Sequence, residues 1–160
     1  MNVYYFAITL MLVFSWMLKL IYFKYTKSTI MRLEIFPPKM AKMVPYGMPV
    51  AELAMAIGFA AGYKIVGVVY LAYLLFFVLL NFKTFTSNEK KECCCYGKLI
   101  RSKLGLGGML HYLYWIAVLI VAIFCRPVLP TEETMLIHYA VGVLVVVTGL
   151  FIRMIVESVE

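Results

Sequence analysis

Residues 65–82 read Ile65-Val66-Gly67-Val68-Val69-Tyr70-Leu71-Ala72-Tyr73-Leu74-Leu75-Phe76-Phe77-Val78-Leu79-Leu80-Asn81-Phe82, without a single charged side chain. A helix needs roughly 20 predominantly apolar residues to cross a hydrocarbon core. This stretch is therefore read as a membrane span. Gly62-Tyr63-Lys64, just before it, is too short for anything but a tight turn. The apolar block from Met48-Pro49 to Gly62 then becomes the other arm of a helical hairpin.

Three more blocks have the same character. One runs over about 3–23, interrupted only by Lys19, and the others cover about 109–125 and 135–156. The fold expected is all-α: a polytopic transmembrane helical bundle with a four-helix core plus a fifth span, forming one integral membrane domain over 1–160. The second and fourth spans (48–62 and 109–125) are short, which suits a re-entrant or less tilted course. Between the first two spans lies a basic connector, 24–47. Within it Ile30, Met31, Leu33, Ile35 and Phe36 offer a short apolar face to the membrane surface, stopped by Pro37-Pro38.

Composition agrees. The chain has 160 residues, 64% hydrophobic and 14% charged, with a mean hydropathy of +0.93. Soluble domains carry about 45–50% apolar and about 25% charged residues. A net charge of +7 suggests nucleic acid in a soluble protein, but here the basic residues sit in loops beside spans. There they act as topology signals and contacts to membrane lipid. No nucleic-acid partner is expected. Met1 to Phe6 lacks a basic n-region, so the first block is expected to stay as a helix rather than be cleaved.

The long loop, 83–108, contains Glu92-Cys93-Cys94-Cys95-Tyr96-Gly97-Lys98-Leu99, flanked by Lys90, Lys91, Arg101 and Lys103, and ends in the flexible run Gly105-Leu106-Gly107-Gly108. Thiols beside cations ionise more readily, and the thiolate is the reactive form. Three readings follow from the residues. Cys93 and Cys95 form a C-x-C redox pair; or the sulfurs hold a soft ion such as Cu(I); or the cysteines are acylated or contact a partner. A structural zinc site lacks a second Cys/His pair at the usual spacing. Cys125 lies at the far end of its span and reads as a packed small hydrophobe.

Lys19, near the end of the first span, and Glu52, about one turn inside the second, lie on the cysteine side, and His111 opens the fourth span there. Charges inside spans are costly and tend to pair or line a polar site. Topology thus gathers Lys19, Glu52, Cys93, Cys95 and His111 at one membrane boundary. Ala54, Gly58 and Gly62 form a small-residue face for helix packing. Tyr4, Tyr5, Tyr22, Tyr25, Tyr112, Tyr114 and Trp115 suit an interfacial aromatic belt, and Arg153 with Glu157 a surface ion pair.

In this order the residues resemble the MauE branch of the DoxX-like membrane proteins. The resemblance rests on Phe14-Ser15-Trp16-Met17-Leu18-Lys19-Leu20, on Pro49-Val50-Ala51-Glu52-Leu53, and on Cys93-Cys94-Cys95-Tyr96-Gly97, across residues from about 5 to 125. Cys94 departs from the family pattern, which has glycine there. The resemblance implies a thiol-disulfide redox protein of the bacterial cytoplasmic (inner) membrane. It would work with a thioredoxin-like redox partner or substrate protein in disulfide maturation. A quinone cofactor is implied only through likeness to vitamin K epoxide reductase-like enzymes. The positive-inside count puts twelve of the fifteen Lys and Arg residues on the cysteine face, hence in the cytoplasm. Bacterial disulfide formation belongs on the other side.

Overall fold

The computed structural model describes residues 3–32, 37–86, 92–93, 102–124 and 132–159. Its helices are α1 (Val3–Ile21), α2 (Phe23–Arg32), α3 (Pro38–Ala60), α4 (Lys64–Thr86), α5 (Leu106–Phe124) and α6 (Glu132–Val159). Five of them, all but α2, are long and apolar enough to cross a membrane. The chain is a multi-pass, all-α helical bundle. α1, α3, α4 and α5 make its core, and α6 packs against α1 and α5.

Each buried face is set by helical periodicity. On α1 the buried positions are Ala7, Ile8, Met11, Leu12, Ser15, Leu18 and Lys19, one stripe at three- and four-residue steps. They meet Met55, Ala56 and Phe59 of α3, Tyr70, Leu74 and Phe77 of α4, and Tyr112, Trp115 and Leu119 of α5 in one core.

The connector departs from expectation. Residues 23–32 form α2, which continues almost directly from α1. The Tyr22 amide donates to the Leu18 carbonyl and Thr26 to Tyr22, at 2.9 and 3.0 Å. Thr26, Thr29 and Ile30 are buried where α2 packs on α3. Pro37-Pro38 starts a helix: Pro37 is the N-cap residue and Pro38 follows, the position where a missing N–H costs nothing; Leu33, Ile35 and Phe36 of the expected apolar face lie outside the described residues. Pro45 and Pro49 then lie inside α3, as membrane helices allow. The second span is therefore a helix of 23 residues and the fourth one of 19, so neither is short.

The α3–α4 turn is as tight as its sequence requires. Gly62 has φ +79°, and its amide donates to the Phe59 carbonyl while Tyr63 donates to Gly58. That is a Schellman end, which favours glycine at the left-handed position. The small-residue face divides into separate roles. Gly58 is buried with Val66 of α4 where its Cβ would be, Ala54 faces outward, and Gly62 makes the turn.

The glycine run after the cysteines is packed rather than flexible. Leu104 and Gly105 are buried, and Gly107 and Gly108 lie buried in the first turn of α5. Asn81 of α4, fully buried, donates from Nδ2 to the Phe77 carbonyl at 2.7 Å and accepts the Gly105 amide on Oδ1 at 3.2 Å. A side chain at Gly108 would collide with that same Oδ1. Just before this anchor the backbone of Ser102–Lys103 pairs antiparallel with Glu92–Cys93, in register Cys93 with Ser102.

Gly108→Ala is expected to destabilise the bundle by about 1–3 kcal/mol, the usual cost of overpacking. Thermal unfolding in detergent measures it. Gly47→Ala, at an open position, is the control and should leave the transition in place.

Candidate functional site

Three donors converge on one carboxylate oxygen inside the bundle. Glu52 Oε1 accepts from Lys19 Nζ at 2.5 Å, from the Tyr73 hydroxyl at 2.6 Å and from Ser15 Oγ at 3.2 Å. Lys19 also donates to Ser15 Oγ at 2.7 Å. Lys19 and Glu52 are 1% and 2% exposed, so this is a buried ion pair in which each charge has no alternative contact with solvent.

The pair stands well along α3 rather than one turn from its start. Because α3 starts at Pro38, Glu52 stands fourteen residues in (52 − 38), about 21 Å along the helix at 1.5 Å per residue. Lys19 is close to the end of α1, yet α2 carries the helical path onward past it. The pair therefore sits within the bundle, against the middle of α4.

His111 joins it there. The ring is buried, and Nδ1 lies 2.9 Å from the Gly149 carbonyl of α6. A carbonyl only accepts, so the Nδ1 proton is fixed by this contact and a neutral ring presents Nε2 as an acceptor. Ser15, Lys19, Glu52, Tyr73, His111 and Trp115 all line one cavity of about 30 Å³. Tyr70, Tyr73, Phe77, Tyr112, His111 and Trp115 form a chain of ring contacts along its wall.

Of the five residues expected together, the structure brings Lys19, Glu52 and His111 around this cavity. Cys93 is described by its backbone alone, in the strand pair. Cys94 and Cys95 lie outside the described residues, as do Cys125 and the side chain of Glu157. The anchor that fixes the return of the cysteine segment, Asn81, is eight residues from Tyr73 along α4 (81 − 73), about 12 Å.

The matching family model is that of the methylamine utilisation protein MauE, over residues 1–129. The chain belongs to the MauE family. No curated protein and no solved structure matches it. The MauE region takes in α1 to α5, with every cavity residue named above and the cysteine triplet; α6 lies beyond it.

Several residues of the site escaped the sequence reading. Tyr112 and Trp115 are 7% and 1% exposed, core residues rather than an interfacial belt. Tyr114 donates its hydroxyl to the Val145 carbonyl at 2.8 Å. Arg153 is fully buried rather than on the surface, and the side chain of its expected partner Glu157 lies outside the described residues. Arg153 follows Gly149 by four residues, on the α6 face where Gly149 admits Tyr114 and Trp115. Ser15 did carry a signal, since it precedes Lys19 by one helical turn and shares its face. The cavity volume of about 30 Å³ has room for about two waters.

Removing one member of a buried pair leaves an uncompensated charge and costs about 3–5 kcal/mol, whereas replacing both is often close to neutral. Lys19→Met is therefore expected to lower the unfolding temperature strongly. The Lys19→Met/Glu52→Gln double variant should recover much of the loss, and differential scanning calorimetry of the three proteins reads the coupling.

Proposed function

We propose that this MauE-family protein is a membrane thiol-disulfide exchange protein in the maturation of disulfide-containing proteins. Cys93 and Cys95 are its redox pair, and Cys94 is able to stand in for either. The observation that carries this reading is the family match, which covers the cysteine triplet and both charged spans.

The chemistry follows from the residues. Lys90, Lys91, Lys98, Arg101 and Lys103 surround the triplet in sequence and favour the thiolate. One thiolate attacks a disulfide of a thioredoxin-like partner or substrate protein, forming a mixed disulfide and releasing a partner thiolate. The second cysteine then attacks the mixed disulfide. The partner leaves as a dithiol, the two protons given up by the cysteines pass to it, and Cys93–Cys95 remains as the disulfide. The reverse sequence oxidises the partner. Lys19, Glu52 and His111 supply a polar interior that shapes the bundle. The reading sets the protein in the bacterial cytoplasmic membrane, in contact with lipid.

A second reading, a non-enzymatic assembly factor whose cysteines are acylated or bind a partner, draws on the same family match. Alkylation with a maleimide mass tag, with and without reductant, separates the two. The oxidised sample is expected to carry two fewer free thiols, and Cys93→Ser or Cys95→Ser to abolish that difference. Blocked thiols released by hydroxylamine would establish thioester acylation in place of redox cycling. An impermeant label on intact cells assigns the side of the membrane.

A further inference from the structure

The two oxygens of Glu52 have divided roles. Ser15, Lys19 and Tyr73 all bond to Oε1. Oε2 is buried and has no hydrogen-bond partner among the described residues. Trp115 lines the same cavity, and its indole Nε1 is likewise buried with no hydrogen-bond partner among the described residues. Trp115 is 1% exposed.

An orphaned acceptor and an orphaned donor on residues lining one cavity define their ligand. Leaving each unsatisfied forfeits its solvation without replacement, a large penalty against the marginal stability of a folded chain. The missing group must donate to a carboxylate oxygen and accept from an indole N–H. A hydroxyl oxygen does both. A free cation is opposed by the Lys19 ammonium already on that carboxylate, and an anion by the carboxylate itself, so the ligand is neutral. The volume of about 30 Å³ holds about two water molecules, each needing roughly 10–15 Å³.

We propose that the cavity between α1, α3, α4 and α5 is a water site, in which about two waters donate to Glu52 Oε2 and accept from Trp115 Nε1. Water there completes the solvation of the ion pair from the side that Lys19 does not reach. It also places exchangeable protons deep within the bundle, on the carboxylate oxygen that no protein donor occupies. This inference is independent of the thiol chemistry, and either reading survives failure of the other.

The chain contains two tryptophans, Trp16 and Trp115, so indole ¹⁵N labelling of the full-length protein in lipid nanodiscs gives two signals. Trp115→Phe assigns them. The Trp115 indole proton is expected to show a cross-peak to water and to lose its signal in D₂O well before the core helix amides do. Glu52→Gln should shift that indole resonance, and Leu12→Phe, which fills the cavity from its apolar wall, should remove the water cross-peak. The wild-type measurement alone is decisive. An indole proton with no water cross-peak, protected in D₂O as long as the core amides, overturns the proposal. So does a cross-peak to the carbon-bound protons of a copurified molecule.

Discussion

A lysine and a glutamate held together in an apolar interior impose a constraint that the remainder of the bundle satisfies. Neither charge is tolerable alone at that depth, so α1 and α3 must meet with Lys19 and Glu52 in register. Once they do, Tyr73 of α4 is drawn to the same oxygen and fixes the rotation of a helix whose surface is otherwise apolar nearly all round. In lipid no hydrophobic force selects one apolar face of α4 over another. A single hydroxyl-to-carboxylate bond at 2.6 Å supplies that selection, and the ring contacts of Tyr70, Phe77 and Tyr112 follow from it.

Asn81 plays the corresponding part lower on α4. Its two bonds, to the Phe77 carbonyl and from the Gly105 amide, leave no room for a side chain at Gly108. α5 can therefore start only where two glycines let it approach. The backbone leading back to Cys93 through the strand pair is thereby tied to the helix that also carries the Tyr73 contact to Glu52. Polar residues are few in this protein, and several of them set helix-to-helix geometry.

Much of the architecture was legible because a membrane makes length and apolarity nearly sufficient. Residues 65–82 and the Gly62 turn could be read directly, and two charges inside spans were bound to seek each other. Position along the helix was harder to read. Pro37-Pro38 looks like a terminator, yet it opens a helix that accepts Pro45 and Pro49 internally, so Glu52 stands fourteen residues along α3 rather than near its start. The aromatic residues were misplaced for a related reason: a tyrosine at a helix end and one in a core have the same local sequence, and only the partner helix distinguishes them. Asn81 and Arg153 gave no local signal, since each is buried by contacts that another helix creates.

α6 adds a consequence of its own. It lies outside the region common to the family, yet its Gly149 carbonyl holds the imidazole of His111, and Gly142 and Gly149 are the notches that let Phe6, Tyr114 and Trp115 nest against it. The tautomer of a histidine inside the shared region is thus dictated by a helix beyond that region. A homologue built from the shared helices alone would need a different acceptor for that nitrogen, or would carry its proton elsewhere. The acid–base character of this interior is consequently set in part by the appended helix.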